Sequence, residues 1–248
     1  MFHEYGDFTI TVDGIRFSGS GAIPLRRAVT LLDTEPDIIH WLEEQVDEND
    51  VLFDIGANIG LYTLYAAIKK QAEVVALEPM SLNFNELNKN IMLNGLDDHV
   101  VALNVAMHDE LVFDRLNISG FVEGKAGHGF GQAAAGTGRV AFKPAYRQGV
   151  IGISVDDLVH KLALPFPNHI KIDVDGNESK IVRGMGEVLK DARLKSIAVE
   201  LEPEDFDDDR AAIELIISHG FKELTAPSYR NPELAKWTNV RNHFFVRK

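Results

Sequence analysis

The sequence predicts an α/β fold in which helices cover both faces of a mostly parallel sheet. From residue 51 onward, short apolar runs alternate with longer segments of helical periodicity, which is typical of strand–helix–strand units. The first run, residues 51–55, leads into a glycine-bearing turn and then a helix-compatible segment. Glu78 and Asp173 come at the ends of two later runs, where open α/β sheets place their ligands.

The first 48 residues are predicted to be an extension that packs on the main domain, not an independent fold. Residues 8–17 alternate apolar and polar side chains around Asp13-Gly14, which is a strong signal for a β-hairpin. Pro36 is placed in the first turn of a helix, a position that proline favours, and apolar residues follow it at helical spacing. Residues 1–48 are therefore expected to form a small hairpin and a helix.

Residues 49–248 form the predicted main domain, whose elements alternate in type. Asn94-Gly95 marks the end of a helix, because glycine is favoured just after the last turn. The acidic run at 205–209 begins another helix, because carboxylates stabilise the positive end of the helix dipole. The predicted strands are 51–55, 73–77, 100–106, 110–118, 169–174, 195–201, about 221–225 and 242–247, and the predicted helices are 60–70, 81–94, 177–191 and 207–219.

A glycine-rich insertion at about 119–152 interrupts this alternation. Residues 120–152 contain 9 of the 20 glycines of the chain. A long irregular segment in a compact domain is usually functional or disordered. Since it follows the predicted third strand, it is expected either to cover a bound ligand as a lid or to be a mobile loop without a chemical role.

Composition limits the classes of function. The chain has no cysteine, which excludes disulfides, thiolate catalysis and cysteine-ligated zinc. Its net charge of −13 argues against a nucleic-acid partner, because such binding depends on basic surface. No apolar run approaches the ~20 residues of a membrane span, and the first seven residues lack the features of a secretory signal. A cytoplasmic protein without a membrane span is expected.

The turn after the first core strand points to a cofactor. Asp54 precedes Gly56, Asn58 and Gly60, and Glu78 closes the next strand 18 residues beyond Gly60. A carboxylate in that position can accept hydrogen bonds from both hydroxyls of a ribose. Asp54 would repel the pyrophosphate of a dinucleotide but can face the ammonium group of a methionine moiety. S-adenosylmethionine therefore fits better than NAD, while an ordinary turn remains the structural alternative.

Further candidates lie at the ends of later strands. Asn104, Ala106 and Met107 are expected to flank the adenine, although core packing explains Met107 equally well. Asp173 is a candidate base, acceptor-positioning group or metal contact, and a structural carboxylate capping the next helix is the alternative. His128, between glycines of the insertion, is the candidate base among the histidines.

No metal site is predicted. Asp173 and Asp175 would point to opposite faces in strand geometry, which makes them a poor pair of ligands for one ion. The adjacent arginines Arg26 and Arg27 are interpreted as a solvated feature of a helix or loop.

The chain resembles the FkbM-type S-adenosylmethionine-dependent methyltransferases, a branch of the class I, Rossmann-like methyltransferases. Four blocks carry the resemblance: DIGANIGLYT at 54–63, ALEP at 76–79 with LNKN at 87–90, NVAMHD at 104–109, and KIDVDGNE at 171–178. Family members favour glutamate at the position of Asp175. The resemblance implies an O-methyltransferase acting on a hydroxyl of a small acceptor such as a sugar or secondary metabolite. A non-catalytic S-adenosylmethionine-binding protein and an NAD-linked oxidoreductase are the alternatives, and the oligomeric state stays open.

Overall fold

The computed structural model describes residues 8–225 and 241–248. Residues 1–7, on which the expectation about a secretory signal rests, lie outside the described residues, as do residues 226–240 of the predicted main domain. The strands are β1 (Thr9–Val12), β2 (Ile15–Ser18), β3 (Val51–Ile55), β4 (Glu73–Leu77), β5 (Val100–Leu103), β6 (Ala106–Met107), β7 (Val112–Ile118), β8 (Gly129–Phe130), β9 (Ala134–Ala135), β10 (Val140–Ala141), β11 (Tyr146–Ile153), β12 (His169–Ile172), β13 (Ser196–Leu201), β14 (Phe221–Glu223) and β15 (Arg241–Arg247). The helices are α1 (Ala22–Val29), α2 (Leu31–Thr34), α3 (Pro36–Gln45), α4 (Leu61–Lys69), α5 (Ser81–Asn94), α6 (Val155–His160), α7 (Glu178–Arg183), α8 (Gly186–Lys190) and α9 (Asp207–Ser218), with a short 3-10 helix at Thr137–Arg139.

Seven strands form the central sheet in the order β14-β15-β13-β12-β3-β4-β5. The five strands from β13 to β5 are parallel to one another, whereas β15 is antiparallel to β13 and β14 is antiparallel to β15. One apolar cluster joins the sheet to α3, α4 and α5, and a second joins its other face to α6, α7, α8 and α9. The predicted α/β architecture with helices on both faces is confirmed.

The N-terminal segment shares its core with the main domain. β1 and β2 form the predicted hairpin around Asp13 and Gly14, which both have positive φ. Phe17 and Trp41 are fully buried in the same cluster as residues of β3 and α4. The segment also contains α1 and α2, two helices that the sequence did not predict.

The insertion is more regular than its glycine content suggested. β6, β7, β8 and β11 form a separate four-stranded sheet in the order β6-β11-β7-β8. The strand predicted at 100–106 is therefore two strands, because β5 ends at Leu103 and β6 pairs with β11 in this second sheet. Within the insertion itself, residues 119–145 contain two-residue strands, turns and a short 3-10 helix, and β11 is the longer strand that joins it to β6 and β7.

One predicted helix is also divided. The segment 177–191 forms α7 and α8, separated at Gly184. A Cβ on Gly184 would press against the backbone of His108 and Asp109, so the chain packs closely against the segment that connects β6 and β7 at this point. In the described part of the chain, none of the helices has both the length and the apolar character needed to cross a membrane.

Candidate functional site

A cavity of about 570 Å³ lies at the carboxyl ends of β3, β4 and β12. The chain builds the sheet outward from β3 to β5 on one side and from β12 to β13 on the other. The boundary between β3 and β12 is therefore the topological switch point, where open α/β sheets bind their ligands. The volume also lies within the roughly 300–1,000 Å³ typical of small-molecule sites.

The turn after β3 forms one wall of the cavity. Gly56, Asn58 and Gly60 have φ values of 81°, 52° and 90°, in the left-handed region that favours glycine and tolerates asparagine. A Cβ on Gly56 would overlap the backbone carbonyl oxygen of Asp173, and one on Gly60 would press against Leu87. Packing within the protein therefore disfavours a side chain at both positions, and the close approach of a ligand to these glycines stays a prediction. Gly56 and Asn58 line the cavity, and Gly60 is not part of its wall.

Glu78 follows β4 and faces the same cavity. Its Oε2 accepts a hydrogen bond from the backbone N–H of Asn58, and its Oε1 accepts one from Met80, both at 2.8 Å. Burial raises the pKa of Glu78 to about 7, although these two hydrogen bonds act in the opposite direction. Each carboxylate oxygen has a second lone pair, so the side chain keeps acceptor capacity for a ligand.

Asp54 lies beneath the cavity and is not part of its wall. Its side chain is fully buried, and its Oδ2 accepts a hydrogen bond from the Thr63 hydroxyl at 2.6 Å. Its Oδ1 lies 3.7 Å from Nζ of Lys171. The expected orientation of Asp54 toward the methionine end of a ligand does not match this arrangement, because Asp54 reaches the cavity only through Lys171.

Lys171 is a buried lysine in the wall of the cavity. Its Nζ lies 3.3 Å from Asp173 Oδ2 and 5.2 Å from the centre of the Tyr62 ring. Burial by itself lowers the pKa of Lys171, but the carboxylates of Asp173 and Asp54 outweigh it and raise the pKa above its ordinary value. Lys171 therefore remains charged and holds Asp173 in place.

Asp173 and Asp175 both line the cavity. The expectation that they point to opposite faces is wrong, because β12 ends at Ile172 and strand alternation no longer applies beyond it. Asp175 has a φ of 65°, and Glu178 fixes the turn by accepting hydrogen bonds from Val174 and Gly176.

The N-terminal segment contributes the carboxylate of Glu35 to the cavity wall. Glu35 accepts hydrogen bonds from the Tyr62 hydroxyl at 2.6 Å and from the Asn242 side chain at 3.2 Å. Glu35 and Tyr62 line the cavity. Burial and the nearby Asp173 raise the pKa of Glu35. The carboxylates of the wall thus repel one another, and Lys171 is the buried cation that offsets them.

The residues predicted to flank an adenine separate into two groups. Ala106 and Met107 line the cavity. Asn104 is exposed and does not, because its amide donates hydrogen bonds to the carbonyl oxygens of Glu78 at 2.8 Å and Pro79 at 2.9 Å. Asn104 therefore stabilises the turn after β4 instead of contacting a ligand.

The insertion contributes a wall of the cavity through Lys125, Ala126, His128 and Phe130. Asp175 holds this segment, because its Oδ2 accepts hydrogen bonds from the backbone N–H groups of Gly127 and His128, at 2.6 and 3.4 Å.

A second anchor lies further along the insertion. The N–H of Gly138 donates to both carboxylate oxygens of Glu202, and Arg139 forms an ion pair with Asp209. These contacts of Glu202 and Asp209 lie apart from the contact of Asp175, so carboxylates of the main domain hold two separate parts of the insertion.

His128 is buried beside the cavity. Its Nδ1 accepts a hydrogen bond from the backbone N–H of Ser119 at 3.3 Å, which leaves the proton of the neutral ring on Nε2. Burial lowers the pKa of His128 to about 4. Both observations disfavour the role of general base that the sequence suggested for it.

Several wall residues were missed or misread from the sequence. Arg26 and Arg27 line the cavity, which their interpretation as a solvated feature of a helix or loop did not foresee, although both lie on helix α1 and Arg26 is exposed. Their position depends on α1, which was not predicted. Lys171 could have been identified from the sequence, because a lysine within a buried strand needs a carboxylate partner. Glu35 and Tyr62 could not have been identified in this way, because only the tertiary fold brings them together.

The described residues contain one group with spacing suited to a metal ion, namely His108, Asp109 and Glu110. None of the three lines the cavity. The cavity therefore offers hydrogen-bond acceptors, a buried cation and apolar walls for an organic ligand.

Comparisons with known proteins agree with this arrangement. The model of the FkbM methyltransferase domain matches residues 54–223. The hexuronic acid methyltransferase AglP of Haloferax volcanii is 30% identical over 176 residues, which cover 69% of this chain and 65% of that protein, slightly less than two thirds. The solved structure of the METTL16 methyltransferase domain (crystal form 2) matches with a TM-score of 0.50 and 14% identity, over 96% of this chain and 85% of that one. This likeness concerns the fold and confirms the expected Rossmann-like, class I architecture. Because the family model spans well over half of the chain, the protein belongs to the FkbM methyltransferase family.

Proposed function

We propose that the protein transfers a methyl group from S-adenosylmethionine to a hydroxyl of a small, sugar-like acceptor. The observation that carries the proposal is one cavity at the switch point of the sheet, with Glu78 and Asn58 on one wall and Asp173 on another. The relative named as a hexuronic acid methyltransferase supports a sugar as the acceptor.

The wall residues fit the proposed cofactor. Glu78 has unused lone pairs for ribose hydroxyls, and Ala106 and Met107 supply apolar surface for an adenine. Asn58 Oδ1 is buried without a hydrogen-bond partner among the described residues, and such a group calls for a ligand or a water. When bound, the cofactor supplies a methyl group already activated by a positively charged sulfur.

The protein's remaining task is to prepare the acceptor. Asp173 is the proposed base, because it lines the cavity with a third of its side chain exposed and is held by Lys171. Its carboxylate takes the proton of the acceptor hydroxyl as the oxygen attacks. The insertion limits the access of water and helps to orient the acceptor.

A dinucleotide is disfavoured by the backbone of the turn. The N–H groups of Gly56 and Ala57 both donate to the carbonyl oxygen of Leu77, at 2.9 and 3.1 Å. A pyrophosphate would need such donors. The alternative of an NAD-linked oxidoreductase is therefore not favoured by any observation at this site.

Isothermal titration calorimetry with S-adenosylhomocysteine tests the cofactor, and NAD serves as the comparison ligand. Methyl transfer is then measured with a panel of methyl glycosides of hexoses and hexuronic acids. Saturable binding with transfer is expected, whereas binding without transfer to any acceptor would favour a non-catalytic cofactor-binding protein. Absence of binding by folded protein would refute the proposal.

The role of Asp173 is tested by Asp173→Asn. We expect kcat to fall by roughly 10²–10⁴-fold, the range for loss of a general base, with little change in S-adenosylhomocysteine affinity. Asp98→Asn, at an exposed position in the turn before β5, is the matched control. Retention of full activity by Asp173→Asn would exclude it as the base.

A further inference from the structure

Three basic side chains lie on the part of the cavity wall formed by α1 and the insertion. They are Arg26, Arg27 and Lys125. The candidate cofactor residues Gly56, Asn58 and Glu78 instead follow core strands of the sheet. The basic residues thus belong to segments added to the core.

The backbones of these residues are fixed while their charged groups keep free donors. The carbonyl oxygen of Lys125 accepts hydrogen bonds from the side chains of Asn83 and Asn58, at 3.0 and 3.5 Å. Among the described residues, Arg27 forms one side-chain hydrogen bond, from its Nε to the carbonyl oxygen of Gly124 at 2.6 Å, and its charge acts against the burial that raises the pKa of Asp175. Within residues 8–225 and 241–248, no side-chain hydrogen bond or ion pair is formed by Arg26.

The charge of the cavity makes this placement informative. Lys171 is already neutralised by Asp54 and Asp173, so it offers no free positive charge to a ligand. Two adjacent arginines beside a lysine leave several unused N–H donors on one wall of a chain whose net charge is −13. The planar guanidinium group binds carboxylate and phosphate with paired hydrogen bonds between opposite charges, which are stronger than those to neutral sugar hydroxyls.

We propose that Arg26 and Arg27, assisted by Lys125, bind an anionic group of the acceptor, so that the enzyme selects a sugar carrying a carboxylate or a phosphate. This inference rests on the proposed function. The hydroxyl to be methylated then lies at Asp173, and the anionic group of the same molecule lies at the wall of α1 and the insertion. The four carboxylates Glu35, Glu78, Asp173 and Asp175 make the rest of the cavity unfavourable for an anion.

Matched acceptors test the proposal. The probes are methyl glucuronide and methyl galacturonide, the corresponding neutral methyl glycosides, and the methyl glycoside 6-phosphates. For each pair, kcat/KM is measured with the wild-type protein, with Arg26→Gln and with Arg115→Gln. Arg115 is exposed on β7 and does not line the cavity, so it controls for the loss of one positive charge. Saturation-transfer NMR with S-adenosylhomocysteine present measures acceptor binding independently of turnover.

We expect the wild-type protein and Arg115→Gln to prefer an anionic member of a pair by at least about tenfold, equivalent to ~1.4 kcal/mol. Arg26→Gln should reduce that ratio several-fold, mainly through KM, and weaken the NMR signal of the anionic sugar. The carboxylate and phosphate arms show which anion is selected.

Equal kcat/KM and equal binding for charged and neutral acceptors would overturn the inference while the proposed function stands. Failure of every anionic sugar to bind would overturn it too, and S-adenosylhomocysteine titration then shows whether the proposed function falls with it. A large loss of S-adenosylhomocysteine affinity in Arg26→Gln would instead assign the arginines to the cofactor and would also overturn the inference.

Discussion

Lys171 lies 3.7 Å from the carboxylate of Asp54 and 3.3 Å from that of Asp173. Asp54 is enclosed, whereas Asp173 reaches the cavity, so the lysine links a buried charge to one that a ligand can contact. Removing one member of a buried ion pair leaves the other charge without compensation, which costs more than the pair itself contributes.

Lys171→Met is therefore expected to lower the free energy of unfolding by roughly 3–5 kcal/mol, measured by urea denaturation. Lys222→Met, on the exposed surface of β14, should change it by no more than about 0.5 kcal/mol. Adding Asp54→Asn to Lys171→Met should recover part of the loss, because the uncompensated buried carboxylate is removed. Strictly additive effects would contradict the coupling between the two residues.

Glu78 gives the proposed cofactor affinity a pH dependence. Burial raises its pKa to about 7, and ribose hydroxyls donate to the ionised form. Binding therefore lowers this pKa, the free protein holds more protons than the complex, and affinity rises with pH. We expect the Kd of S-adenosylhomocysteine to fall about tenfold between pH 6 and pH 8, as linkage requires for one such group.

Glu78→Gln should remove most of that slope in calorimetry. Glu78→Ala should weaken binding at pH 8 by roughly 1–3 kcal/mol, because the ribose hydroxyls lose their acceptor. A wild-type Kd independent of pH, or unchanged affinity in Glu78→Ala, would exclude Glu78 as the ribose ligand.

At the residue scale, sequence motifs located the cavity better than they assigned individual contacts. Glu78 and Met107 line the cavity as expected, because strand ends converge at one edge of a parallel sheet. Asn104 does not, since β5 ends at Leu103, three residues before the end of the predicted strand. The place of Arg26 in the cavity wall was not predicted, because this part of the wall comes from α1, a helix outside the core. Local patterns carry no information about such long-range packing.

At the scale of elements, hydrogen bonds to two carboxylates hold parts of the insertion against the main domain. Asp175 holds residues 127 and 128, and Glu202 holds residue 138. Asp175 follows β12 and Glu202 follows β13, so we expect the two parts of the insertion to open separately.

Hydrogen–deuterium exchange measured by mass spectrometry can separate these anchors. Asp175→Gly should accelerate exchange in residues 124–130, because it removes the acceptor while glycine tolerates the φ of 65° found there. Glu202→Ala should accelerate exchange in residues 136–141 instead. Each variant serves as the control for the other, and simultaneous opening of both segments in either variant would show that the insertion moves as a unit.

The bounds of β3, β4 and α5 were predicted correctly, whereas most strands of the second sheet were not predicted. Apolar strands of about five residues and glycine-ended helices have strong local signals, as with β3, β4 and α5. The glycine content of residues 120–152 concealed β8, β11 and the second sheet. Its strands are paired by long-range contacts, and several of their side chains are exposed, so alternation of apolar and polar residues is weak.

At the scale of the whole molecule, the N-terminal segment and the main domain share one apolar core. Trp41 of α3 lies with its ring centre 6.2 Å from that of His169 in β12 and 6.4 Å from that of Phe244 in β15. Residues of the predicted extension at 1–48 therefore pack in the same core as residues of the predicted domain at 49–248. The division into these two parts stays a prediction.

Trp41 can report whether the segment unfolds with the rest. In a Trp237→Phe background Trp41 is the sole tryptophan. Its fluorescence and the far-UV circular dichroism should then give the same urea midpoint, as two-state unfolding requires. A lower midpoint by fluorescence would show that residues 1–48 detach first.

The hydrogen bond between Glu35 and Asn242 joins residues that are 207 positions apart in the chain. During synthesis, the turn after β3 and the acid after β4 leave the ribosome long before the amide that steadies Glu35 exists. A chain synthesised only as far as β4 therefore contains Asn58 and Glu78 but lacks the amide that holds Glu35 in the opposite wall of the cavity. We expect full ligand affinity to develop only once Asn242 has been synthesised and has paired with Glu35.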